Sequence, residues 1–92
     1  MRWLLLWFRQ RKAAASRDRA AIARAVKYFC ATHNQQAMGA DVIRRDINEV
    51  VVRVMYLTNH VPPDRAWFAV SDRQGAVREL SHADSGDTAV WR

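Results

Sequence analysis

The chain has 92 residues, half of them hydrophobic, with three Gly and two Pro. That length fits one domain, and that composition excludes a disordered, collagen-like or low-complexity chain. Fifteen Lys and Arg against nine acids leave a formal charge of +6. The charge is unevenly placed. Residues 1–27 hold Arg2, Arg9, Arg11, Lys12, Arg17, Arg19, Arg24 and Lys27 against Asp18 alone, whereas the remainder is close to neutral. Such asymmetry points to an anionic or acidic counterpart for the N-terminal third. The single cysteine, Cys30, excludes an intramolecular disulfide and a zinc-finger ligand set.

The first segment, Trp3-Leu4-Leu5-Leu6-Trp7-Phe8, is apolar and aromatic, then abruptly basic at Arg9, Arg11 and Lys12. A signal-peptide core needs about 7–15 apolar residues and a membrane span about 20, so neither is expected, and a cytoplasmic protein, at most peripheral to a membrane, is. Residues 2–12 read equally as a short helix or an extended arm, joined through Ala13-Ala14-Ala15 to a clearer helix.

That helix is predicted over 17–37. Ser16 suits its N-cap and Asp18 its positive end. Ile22, Val26, Phe29, Cys30 and His33 recur at helical spacing as the buried face, and Gly39 is the expected stop. Val42-Ile43-Arg44-Arg45 reads as a short strand or a helical turn. Residues 50–58, with Val50, Val51, Val52, Val54 and Tyr56, carry a strong strand signal. Asn59 to Asp64 is a turn, because Pro62 and Pro63 cannot donate to a ladder. Residues 66–71 form a second strand, Asp72-Arg73-Gln74-Gly75 a tight turn, and 76–81 a third strand. Thr88 to Trp91 is an edge strand or a frayed end.

Helix first and strands after imply an α+β fold: one long N-terminal helix packed on a three- to four-stranded antiparallel meander. This layout resembles that of cystatin-like and similar helix-plus-curved-sheet domains, with no motif that carries membership. Residues 1–12 form a basic aromatic N-terminal segment and 13–92 a single α+β domain. The expected core is Ile22, Val26, Phe29, Val52, Val54, Phe68 and Val70.

Candidate chemistry is sparse. Cys30 and His33, three apart on a helix, can face one way, but two ligands are half a metal site, and a packed thiol is the commoner arrangement. His60 with Asp64 offers a general base without a nucleophile or oxyanion site. Asp84, Ser85, Gly86 and Asp87 resemble a fragment of a calcium loop that lacks its terminal Glu. No phosphate loop, nucleophile elbow or zincin motif is present. No catalytic residue, metal site or cofactor is therefore expected, and the protein reads as non-enzymatic.

The N-terminal pattern stands apart. Trp3, Trp7 and Phe8 beside Arg9, Arg11 and Lys12 suit contact with a partner protein, with a second copy of the chain, or with an anionic membrane surface, where rings seat at headgroups and cations meet lipid phosphate. The same residues suit nucleic acid as the runner-up, cations neutralising phosphate and rings stacking on bases. A third expectation, a ligand-binding or enzymatic domain, places Tyr56, Trp67 and His60 at the mouth of a concave sheet.

Overall fold

The computed structural model describes residues 2–59 and 63–88, with side chains from residue 15 onward. Helix α1 spans Arg2–His33. Strands β1 (Gly39–Arg45), β2 (Glu49–Tyr56), β3 (Asp64–Ser71) and β4 (Val77–Leu80) come next in the chain, then a single helical turn, α2 (His82–Ser85). The four strands form one antiparallel sheet in the order β1-β2-β3-β4. The chain is thus an α+β domain in which one N-terminal helix packs on a four-stranded meander.

Three boundaries at α1 and the start of β1 differ from those expected of the sequence. Ser16 caps nothing, because the helix runs through it: the three alanines before it have the highest helix propensity and carry the helix across. The helix ends at His33 rather than near residue 37. Asn34 takes φ 53°, the left-handed conformation in which a short polar side chain is tolerated, and that residue ends the helix. Gly39, the expected stop, instead opens β1. The ambiguous segment at 42–45 is part of this strand.

The core lies between α1 and one sheet face. Ala21, Ala25 and Phe29 from the helix meet Val50, Val52 and Val54 of β2 and Ala66, Phe68 and Val70 of β3. Ile22 and Val26, expected at the centre, flank it half-buried. The axis of burial falls on the alanines because a small side chain lets the helix backbone approach the sheet, and the freed depth is taken by Phe29. Its ring stands 6.3 Å from Phe68 in an edge-to-face arrangement. Burying a side chain of this size contributes about 1.5–3 kcal/mol.

Strand β1 carries a bulge that strict alternation misses. Val42 pairs with Val52 but Arg44 pairs with Val51, so Ile43 is the extra residue. One inserted residue reverses the faces beyond it. Ile43 packs on the outer face with Val51, Ala69, Leu80 and Trp67. Arg45 is turned to the helix side and pairs with Asp18, Nε to Oδ1 at 3.0 Å.

The β3–β4 turn uses Gly75 at φ 62°, closed by Gly75 N–H to the Ser71 carbonyl at 3.0 Å and Ser71 N–H to the Ala76 carbonyl at 2.8 Å. A Cβ there would lie 2.9 Å from the Arg24 guanidinium carbon, so the glycine also makes room for a helix side chain.

Candidate functional site

The residues singled out at the N-terminus, Trp3, Trp7, Phe8, Arg9, Arg11 and Lys12, all sit on the continuous backbone of α1; their side chains lie outside the described residues. The extended-arm alternative for 2–12 gives way to helix. Among the described residues the first helix side chains tied to the sheet layer are Arg17 and Asp18. Arg17 holds Asp72 and the carbonyls of Asp46 and Glu49, and Asp18 holds Arg45. The helix backbone from Arg2 to Ser16 adds about 22 Å before that anchor, at 1.5 Å per residue.

Further along α1, the flank next to β4 carries Arg24, Lys27, Tyr28 and Ala31. With Gly75 and Val77 they line an open groove of about 410 Å³. Neither Arg24 nor Lys27 forms a salt bridge among the described residues, although Arg24 adds to Arg17 in holding the Asp72 carboxyl below its ordinary pKa. Most other described cations are paired: Arg45 with Asp18, Arg78 with Glu49, Arg44 with Asp46 and Arg53 with Asp41. The long exposed apolar side chains elsewhere are scattered. Ile47 stands at the β1–β2 turn with 93% of its surface free, and Met38 and Leu57 lie at the far end of the sheet.

Cys30, His33, Tyr56 and Trp67 each have packing partners in the fold. His33 stacks on Phe29 with ring centres 4.7 Å apart, and its Nε2 lies 2.6 Å from Glu79 Oε1 on β4. Cys30 packs half-buried against the core. No three metal-ligating side chains converge among the described residues. His60 lies outside them. Tyr56 and Trp67 do not share a pocket: Tyr56 packs on the helix side against Phe29, with ring centres 5.0 Å apart, while Trp67 belongs to the outer cluster. In an antiparallel pair Arg53 stands opposite Trp67 and Tyr56 opposite Asp64, three residues along, which places the two rings on opposite faces.

The calcium-like fragment is a capped turn. Ser81 Oγ accepts from the Asp84 N–H at 3.2 Å. The buried Ser85 hydroxyl donates to the His82 carbonyl at 2.6 Å and accepts from the Asp87 N–H at 3.1 Å. Gly86 at φ 73° ends the turn. Asp87 is then aimed into the outer face of the sheet, its side chain only 4% exposed. Trp67 Nε1 donates to it at 2.9 Å, and Arg53 and Arg65 lie at 3.4 and 3.6 Å.

Sequence alone does not disclose this outer cluster. Arg53 is held mainly by Asp41, Nη2 to Oδ2 at 2.6 Å, and that bond raises the guanidinium pKa above its ordinary value against the opposing effect of burial. His82 lies on the Trp67 ring, centres 5.0 Å apart. A signal was present in β2, where Arg53 stands among valines on the face away from the helix. Its acidic partners are distant in sequence, so only the fold identifies them. Among the described residues every buried side-chain polar atom has a hydrogen-bond partner, and the cluster ties the α2 turn to the outer face of the sheet.

No protein-family model matches the chain, and no curated protein or solved structure is significantly similar to it. Among the described residues no helix is long and apolar enough to cross a membrane. Function therefore rests on this geometry alone.

Proposed function

We propose that this is a non-enzymatic interaction domain whose helix-on-sheet body is a scaffold, and whose attachment element is the basic aromatic N-terminal part of α1. The observation that supports this most is the continuity of α1 from Arg2 to His33. A continuous helix transmits position rigidly, so the segment is held at a set angle to the sheet. On a 3.6-residue period the positions of Trp3 and Trp7 fall on the line continued by Ala14, Ala21 and Ala25, the line that is buried on the sheet lower down. That line faces apolar surface wherever the sheet backs it. Beyond the sheet the same line, now with Trp, calls for a surface supplied from outside. Arg9, Arg11 and Lys12 add attraction to an acidic counterpart. Each cation near an anionic membrane contributes about 1 kcal/mol, so charge alone holds weakly and ring burial supplies the rest.

Deleting residues 1–12 is expected to leave the fold standing by circular dichroism and to abolish association. Replacing Trp3 and Trp7 with Ser is expected to weaken association more than replacing Arg9 and Arg11 with Gln. Co-sedimentation with vesicles containing anionic lipid and pull-downs with full and shortened chains measure both. Unfolding of the shortened chain refutes the attachment role. Steeply salt-dependent binding to nucleic acid, indifferent to the Trp changes, assigns the segment to nucleic acid instead.

A further inference from the structure

We propose that the β4 edge and the neighbouring flank of α1 form a second docking site, which takes an acidic, extended segment of a partner protein as a fifth strand. β4 ends the sheet on one side. The Ser71–Ala76 backbone bond sets the phase of the β3–β4 ladder. Because antiparallel partners alternate between bonded and non-bonded pairs, Arg78 and Leu80 turn their N–H and C=O groups to β3. Those of Val77 and Glu79 point outward. Among the described residues no backbone group beyond the sheet bonds to either. An exposed row of this kind is the template for strand addition.

The flank of α1 reaches over this open edge. Arg24, Lys27, Tyr28 and Ala31 line the groove on the helix side, and Gly75 and Val77 line it on the strand side. A strand laid along β4 sends alternate side chains up into that groove, where the apolar stems meet Tyr28, Ala31 and Val77 and the tips meet Arg24 and Lys27. Neither cation forms a salt bridge among the described residues, Arg24 meeting Asp72 only at longer range, while Glu79 at the other end of the edge is engaged by His33. The charge complement is therefore a strand with carboxylates at the Val77 end. A second copy of the chain is the poorer complement, because the carboxylate that a two-fold contact along this edge brings to the Val77 end is the copy's Glu79, which its own His33 already holds. The site uses no residue of the N-terminal segment, so its test is independent of the attachment role.

The probe is an end-blocked octapeptide alternating Glu and Val, with a Lys–Val peptide as control, titrated against the full chain at low salt. Binding of the Glu peptide alone is expected, together with slowed exchange of the Val77 and Glu79 amide protons by NMR. The double variant R24E/K27E is expected to lose at least about tenfold in affinity, and R24Q/K27Q, which removes charge without reversing it, a smaller part of that. Circular dichroism establishes that both variants are folded. The proposal is overturned by no binding at about 1 mM peptide, by equal affinity of the variants, or by unprotected Val77 and Glu79 amides. Self-association through β4, or capture of a single-stranded oligonucleotide by the same cations without amide protection, equally overturns it.

Discussion

Arg17 of the helix grips Asp72 of the β3–β4 turn in a forked pair, Nε to Oδ1 at 2.9 Å and Nη2 to Oδ2 at 2.7 Å, fifty-five residues away in sequence. The same guanidinium reaches the Asp46 carbonyl in the β1–β2 turn. One side chain thus ties the helix to both turns at that end of the sheet. The Arg17 hydrogen bond, together with its charge, holds the Asp72 carboxyl below its ordinary pKa. A carboxyl depressed on folding contributes stability above its unfolded pKa of about 3.9 and loses it as pH falls through the lower folded value. The urea midpoint of the parent chain is expected to fall more steeply below about pH 4 than that of Asp72→Asn, and the two curves to converge at the acid extreme. Parallel acid limbs would show that the pair has no energetic weight.

Phe29 and Phe68 are fully buried and in ring contact. Phe29→Ala or Phe68→Ala is expected to cost about 3–5 kcal/mol, the usual loss on emptying a buried Phe site. In a domain of this size that is most of the total stability. Urea melts read it directly; a loss below about 1 kcal/mol would place the residue outside the core.

Asn34 ends α1 at φ 53°. Glycine adopts that conformation freely, whereas a β-branched residue pays about 1–2 kcal/mol to enter it. Asn34→Gly is expected to be neutral or stabilising, and Asn34→Val to destabilise by about that amount. Equal melting of the two variants would contradict the assigned backbone conformation.

Trp67 donates its indole N–H to the buried Asp87. Trp67→Phe keeps most of the ring and removes this donor from a charged, buried acceptor, at an expected cost of about 1.5–3 kcal/mol. Hydrogen exchange locates the effect: amides in 82–87 are expected to lose protection before those of β2. Uniform loss across the sheet would mean that this cluster is part of the global core.

The architecture was legible because the period of hydrophobicity changes near residue 40. Val50, Val52 and Val54, with Phe68 and Val70, alternate along their strands to share the helix-facing side, and the Asp72–Gly75 turn supplied its own glycine. That local chemistry determines strands, turn and fold class without reference to distant residues. The exact helix face was less legible, since Ala21 and Ala25 are weak hydrophobic signals and become central only when the helix sinks onto the sheet. The Ile43 bulge, which sends Arg45 to Asp18, depends on pairing with β2 and is invisible to an alternation rule. Cys30, His33 and Asp87 were named from the sequence for chemistry, yet their partners, Phe29, Glu79, Trp67 and Arg53, were set by tertiary packing. The basic aromatic pattern at residues 3–12 belongs to the sequence alone. The open β4 edge beneath Arg24 and Lys27 exists only once the helix lies across the sheet, because an edge is a property of strand order, and the overhang a property of where the helix comes to rest.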